Sequence, residues 1–277
     1  MIAYFDTLVF DQIYGKVGCT GADIADLRKT IYGRGLSIRL SLHTLAEILL
    51  TRRARPQALA AQIKLTLSLA NFRTLIKPAD QLLTDDLRAY AARGEADRPF
   101  LRGELQNTAA EGIAALIETD GEDFDEDFVS ALEEARRRKE RFDAILADTR
   151  AIVESDDGAG SFERDWDRNA IRVAERLADA ADSLDACRQR GIEGALQIRS
   201  VRMAVALALG NASAANTKPQ SAALASHHAV SAAAVADTFV SGDAHLRELL
   251  MRTPLDGFGV RSLPDFLANL AAARSTE

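Results

Sequence analysis

Cysteine is nearly absent from this 277-residue chain, which has two, Cys19 and Cys187. Far apart and without metal-ligand spacing, they exclude a disulfide framework and a cysteine-based zinc site, and they suit a reducing cytoplasm. Long apolar runs are also missing. The longest, around residues 203–209, falls well short of the roughly 20 residues that a bilayer crossing needs. The chain opens directly into a strand-like run with no charged-then-apolar leader, so a soluble, unexported, cytoplasmic protein without a membrane partner is expected. Positive charge is scarce: 34 Lys and Arg stand against 41 Asp and Glu, for a net charge of -7 and a pI near 5.3. Such a surface has no general affinity for nucleic acid, so any contact with one needs a local basic patch. Apolar residues make up 47% of the chain, enough at this length to build a core.

Two short segments at opposite ends of the chain match. Met1-Ile2-Ala3-Tyr4-Phe5 runs into Asp6-Thr7, and Thr238-Phe239-Val240-Ser241 runs into Gly242-Asp243. Each reads as a buried strand with a carboxylate just past its C-terminal end. In an open α/β sheet, side chains from separate strands converge there on one crevice. A third strand-like run, 36–40, leads into a helix from Ser41 that carries Glu47 about one turn in. Asp6, Glu47 and Asp243 are therefore expected to cluster.

The order strand-Asp-Thr, then Ser41-x-x-Thr44-Leu45-Ala46-Glu47 on a helix, then an alanine-rich helix feeding Ala236-Asp237-Thr238-Phe239-Val240-Ser241-Gly242-Asp243, resembles the PIN domain, a metal-dependent nuclease fold. The likeness covers roughly residues 1–95 and 215–273, with 259–263 and 264–270 as a closing strand and helix. It implies a three-layer α/β/α fold around a central parallel sheet, endoribonuclease chemistry, and Mg2+ or Mn2+ held by Asp6, Glu47 and Asp243. Single-stranded RNA is the implied substrate, with a toxin-like role beside an antitoxin-like protein partner and a homodimer as further readings. The chain departs from the family in two site positions. Leu8 stands where Asn or Ser is usual, and Ser226-His227-His228 where a further acid is usual. These departures keep open a PIN-like interaction or nucleic-acid-binding module with weakened catalysis. A haloacid-dehalogenase-type phosphatase ranks low, because Leu8 also replaces the second Asp that chemistry needs.

Between these segments the chain reads as helical. Apolar residues at three-four spacing predict helices over 104–118, 128–153, 162–189 and 192–209, split by Gly121, by the run 156–160 and by Gly191. The PIN-like domain is thus expected over 1–95 and 215–277, with a helical insertion over 96–214 and a polar loop at 211–221. Near the start, Thr20-x-x-Asp23 opens a helix that Gly33 ends, and 79–92 is helical up to Gly94.

Clustered carboxylates suit hard divalent ions that activate water for phosphodiester hydrolysis. Each candidate also has a plainer use. Asp6 and Asp243 can cap the helices that follow them, and Thr44-Leu45-Ala46-Glu47 is itself a capping box. Asp237 precedes its strand, too far from Asp243 to share an ion, and is expected to be structural. His227 and His228, in the first turn of their helix, can replace the missing acid as metal, water or phosphate contacts, or can be surface or capping histidines. Ser241 and Thr7 are placed to support the site. The run Arg136-Arg137-Arg138-Lys139 with Arg141 reads as a charge-laced solvated face, and is also the best basic patch for RNA. The run 122–127 reads as a solvated acidic turn, since it lacks the order of a calcium loop.

Overall fold

In the computed structural model, Ile2-Ala3-Tyr4-Phe5 forms the first strand, β1 (Ile2–Phe5), and the structure describes all residues except 34, 53, 71–73, 123–124, 155–165, 214–225, 253–254 and 275–277. β2 (Ser37–Arg39), β3 (Thr238–Val240) and β4 (Gly259–Arg261) complete a four-stranded sheet of order β2-β1-β3-β4 with every neighbouring pair parallel. The chain leaves β1 toward β2 on one side and returns to β3 on the other. The C-terminal ends of β1 and β3 therefore flank the switch point where such sheets open a crevice.

Helices supply most of the structure. They are α1 (Thr7–Gly15), α2 (Gly21–Tyr32), α3 (Leu42–Arg52), α4 (Pro56–Leu69), α5 (Ala79–Arg93), α6 (Glu104–Glu118) and α7 (Glu126–Glu154), then α8 (Trp166–Ala180), α9 (Leu184–Arg190), α10 (Ile192–Ala195), α11 (Arg199–Ser213), α12 (Ser226–Val235), α13 (Ala244–Met251) and α14 (Leu263–Arg274). The capping box at Thr20 forms, with the Thr20 side chain accepting from Asp23 N and the Asp23 carboxylate accepting from Thr20 N. Gly94 ends α5 in the left-handed region at φ 81°, where a side chain would be strained. The run expected as one helix over 162–189 is broken after Ala180, where Asp182 takes φ 52° and α9 restarts at Leu184; its first residues lie outside the described ones. The run expected over 192–209 is likewise divided into α10 and α11. The split at 156–160 and most of the loop at 211–221 fall outside the described residues, and α11 reaches Ser213.

Strand alternation gives the sheet two buried faces. Tyr4 and Phe239 enter one core with Ile76, Phe142, Val173, Val205 and Val230, while Ala3, Phe5, Ile38 and Val240 enter another with Phe10, Leu45, Ile113, Phe128 and Phe266. Residues 96–214 thus contribute to both cores rather than forming one of their own. The 29-residue α7 links them, placing Phe128 and Leu132 in one and Phe142 and Leu146 in the other. Among its described residues this segment carries no strand, only an isolated bridge from Phe100 to Ile76.

Candidate metal centre at the sheet edge

Phe5 is the last residue of β1, and Asp6 turns the chain into α1. Its Oδ1 accepts from Val9 N at 2.9 Å, which makes it the cap of that helix. Its Oδ2 accepts from Ser241 Oγ at 2.5 Å and from Gly242 N at 3.1 Å, across to the end of β3. Asp6 is buried; burial pushes its carboxyl up, and the nearby His228, Ser241 and the two backbone amides oppose that rise. The β1 and β3 ends are tied together through this carboxylate, and both its oxygens are engaged by protein donors.

Glu47 lies in the second turn of α3 and points across to the first turn of α12. Its Oε1 is 3.0 Å from His227 Nε2 and its Oε2 is 3.0 Å from His228 Nε2. The Thr7 hydroxyl donates to the same Oε2 and lies 3.3 Å from His228 Nε2. Burial opposes the Glu47 charge, but His228 and the contacts to both histidines outweigh it and hold the carboxylate well below the usual range. The capping-box reading of Glu47 is not what forms. Thr44 N donates to Ser41 Oγ at 3.3 Å, so the helix begins one turn earlier and Glu47 is left free for the site.

Behind His228 stands a buried hydroxyl relay. Tyr4 OH lies 2.8 Å from His228 Nδ1, 2.8 Å from Ser41 Oγ and 3.1 Å from Thr44 Oγ1. It fixes the ring plane, so that Nε2 faces Glu47. Burial raises the Tyr4 phenol above its ordinary value, so the hydroxyl stays protonated.

His227 is more exceptional. It is fully buried, and although its Nε2 sits 3.0 Å from Glu47 Oε1, the N–H direction misses that oxygen; neither ring nitrogen has an aligned hydrogen-bond partner among the described residues. Burial and the neighbouring His228 push it down to about 3, so the imidazole is neutral near pH 7 and carries a free lone pair. His43, one helical turn before Glu47, packs its ring 4.8 Å from His227, and both of its nitrogens are equally without partners. Buried polar atoms left without partners are rare in native proteins and need a reason.

A metal ion supplies one. Two ligands bound at about 2.0–2.2 Å on one ion lie roughly 3–3.5 Å apart, and Glu47 meets both imidazoles at 3.0 Å. Glu47, His227 and His228 can each offer one ligand atom, all within 4.8 Å of one another, the one such group among the described residues. The donor set fits an ion that accepts imidazole, such as Mn2+ or Zn2+, better than Mg2+, which prefers oxygen alone. Asp243 stands outside the group: its Oδ1 caps α13 by accepting from Leu246 N at 3.0 Å, and its own N–H donates to Ser241 Oγ at 3.1 Å. Ser241 is therefore a link between Asp6 and Asp243. Asp237 accepts from Ile2 N at 2.8 Å, a structural tie between the ends of two strands.

No family model, curated protein or solved structure matches the chain. The geometry alone therefore carries the reading of the site. No helix among the described residues is long and apolar enough to cross a membrane.

The sequence places His227 and His228 at this edge of the sheet, and the structure brings them onto Glu47; burial rules out the surface-histidine alternative. Sequence reasoning missed Tyr4 and His43. The signal for His43 was present, since His43 and Glu47 are four apart and share a helix face. Nothing in the sequence marked the Tyr4 hydroxyl, because an aromatic in a strand reads as core.

The α7 helix closes one side of the site. A cavity of about 210 Å³ lies between α3 and α7, lined by His43, Glu47, Leu50, Thr51, Arg136 and Lys139 among others. Lys139 Nζ is 2.9 Å from Asp143 Oδ2.

Proposed function

We propose that this chain is a divalent-metal-dependent hydrolase of RNA phosphodiester bonds, an endoribonuclease on a PIN-like three-layer frame. In this reading residues 1–95 and 215–277 form the PIN-like domain, and 96–214 are an insertion packed into its cores. The carrying observation is the Glu47 carboxylate set 3.0 Å from His227 Nε2 and from His228 Nε2, beside the switch point of a parallel sheet. A divalent ion at these three side chains supplies Lewis-acid polarisation of the phosphoryl oxygen and a water of lowered pKa.

The chain's own groups prepare that chemistry. Thr7 orients Glu47 Oε2, and Tyr4 orients His228 through Nδ1, leaving Nε2 free to face the ion. Neutral His227 needs no proton removed before it binds. Asp6 belongs to the supporting frame, since its two oxygens already accept from Val9, Ser241 and Gly242. The same saturation leaves it no open oxygen for the covalent step of a dehalogenase-type phosphatase.

The test is cleavage of a mixed single-stranded RNA pool with Mn2+. Wild type is expected to cut, Glu47→Gln and His227→Ala to cut at least about 100-fold more slowly, and Asp243→Asn to keep most of the rate. Equal rates for wild type and Glu47→Gln contradict the assignment. The closed shell around Asp6 favours a second reading, a PIN-like module that binds nucleic acid without cutting it. Binding with no cleavage under any metal selects that reading.

A further inference from the structure

The five cations of α7 between Arg136 and Arg141 are not equivalent. Arg137 pairs with Glu134 at 3.0 Å, Arg138 with Asp80 at 3.4 Å and Arg141 with Glu134 at 2.6 Å, so three are neutralised on the helix surface. Arg136 has no ion pair among the described residues, and it lines the cavity beside Glu47 together with Lys139. Lys139 is steadied by Asp143 at 2.9 Å, which leaves further N–H donors on the ammonium for an occupant. His43, buried and without a partner on either ring nitrogen, lines the same cavity.

Two mobile cations and an orphaned imidazole around one cavity describe an anion seat. At about 210 Å³ the space is smaller than the ~300–1,000 Å³ of pockets that enclose whole drug-sized ligands, so it suits one phosphate with part of its sugar. Glu47 on one wall and Asp143 beside Lys139 limit the net positive charge, so the occupant is one unit of a chain held elsewhere as well, not a free polyanion. We infer that the cavity between α3 and α7 seats a backbone phosphate of single-stranded RNA, held by Arg136, Lys139 and His43. The identity of the occupant rests on the hydrolase reading above. By this inference the helical insertion supplies the local basic patch that an acidic protein needs to meet RNA.

The experiment is equilibrium binding of a fluorescent single-stranded RNA oligonucleotide in EDTA, across a salt series, with wild type, Arg136→Gln and Arg136→Gln/Lys139→Gln. Arg136 is exposed and unpaired, so its replacement leaves the fold intact, and circular dichroism verifies this for both variants. The double variant is expected to bind about five- to tenfold more weakly, with a plot of log affinity against log salt shallower by about 1.4, the value for two lost contacts on a single strand. Unchanged affinity and slope overturn the inference, as does a wild type that binds no RNA in EDTA. Cleavage by a wild type whose double variant binds equally well removes the phosphate seat and spares the hydrolase. Loss of binding in the double variant with no cleavage under any metal does the reverse.

Discussion

Replacing Tyr4 with Phe removes one oxygen and nothing else from a packed position at the end of the core. That oxygen serves three groups: Ser41 Oγ at 2.8 Å, Thr44 Oγ1 at 3.1 Å and His228 Nδ1 at 2.8 Å. Ser41 and Thr44 keep each other, being 3.3 Å apart. His228 Nδ1 has no second partner, and a buried donor or acceptor left unmade costs about 1–3 kcal/mol. The phenyl ring fills the same volume, so no cavity cost is added. A loss near 2 kcal/mol lowers the melting temperature of a domain of this size by about 4–8 °C. The second consequence is functional. A metal-binding histidine whose outer hydrogen bond is removed loses about 10–100-fold in metal affinity. Thermal unfolding and Mn2+ titration of Tyr4→Phe measure the two effects. A variant as stable as wild type, with the same Mn2+ affinity, refutes the claim that this hydroxyl orients His228.

Asp86 gives a pH-dependent expectation. Buried against Ser200 and Asp97, its carboxyl is pushed from 3.8 up to about 6, chiefly by burial and against the hydrogen bonds from Ser200 and Asp97 N. The folded state holds this proton more tightly than the unfolded chain, so the stabilisation is complete below about pH 4 and is lost as pH rises through 6. The loss amounts to about 3 kcal/mol. Asp86→Asn keeps an acceptor for Asp97 N and places a donor toward Ser200, so denaturant midpoints should match wild type at pH 4 and exceed it at pH 7. Equal slopes between pH 4 and 6 in both proteins count against it. In the core, a Cβ on Gly112 would lie 2.2 Å from the Phe128 ring, so Gly112→Ala should destabilise by about 2 kcal/mol despite its better helix propensity. Chemical denaturation decides, and a neutral or stabilising result contradicts the packing described between α6 and α7.

Much of the frame was legible in the sequence because it rests on local rules. β1 and β3 announce themselves by short apolar runs that end in Asp6 and Ser241, and the limits of α6 follow from three-four spacing ended at Thr119. The capping box at Thr20 and the stop at Gly94 are fixed by chemistry within a few residues. The site itself is only partly local. Placing acids at strand ends groups Asp6, Glu47 and Asp243, but whether a carboxylate points into the crevice or back to its own helix is decided by competing backbone donors. For Asp243 the Leu246 amide wins, and for Asp6 the Val9 and Gly242 amides do. His227 and His228 are neighbours on a helix and diverge by about 100° around its axis. That both rings still reach Glu47 depends on the packing of α12 against β1 and α3, which no spacing rule encodes. The two cores shared by residues 96–214 are invisible for the same reason, since contacts distant in the chain leave no period in it.

The central claim is that Glu47, His227 and His228 hold one divalent ion, and that Asp6 and Asp243 do not. Isothermal titration of Mn2+ and Zn2+ into wild type, His227→Ala and Asp243→Asn tests it most directly, because Asn can still cap α13 and leaves the fold intact. The account expects one site per chain in wild type, its loss in His227→Ala and its retention in Asp243→Asn. Retention in His227→Ala with loss in Asp243→Asn would contradict it and return the ion to the three carboxylates.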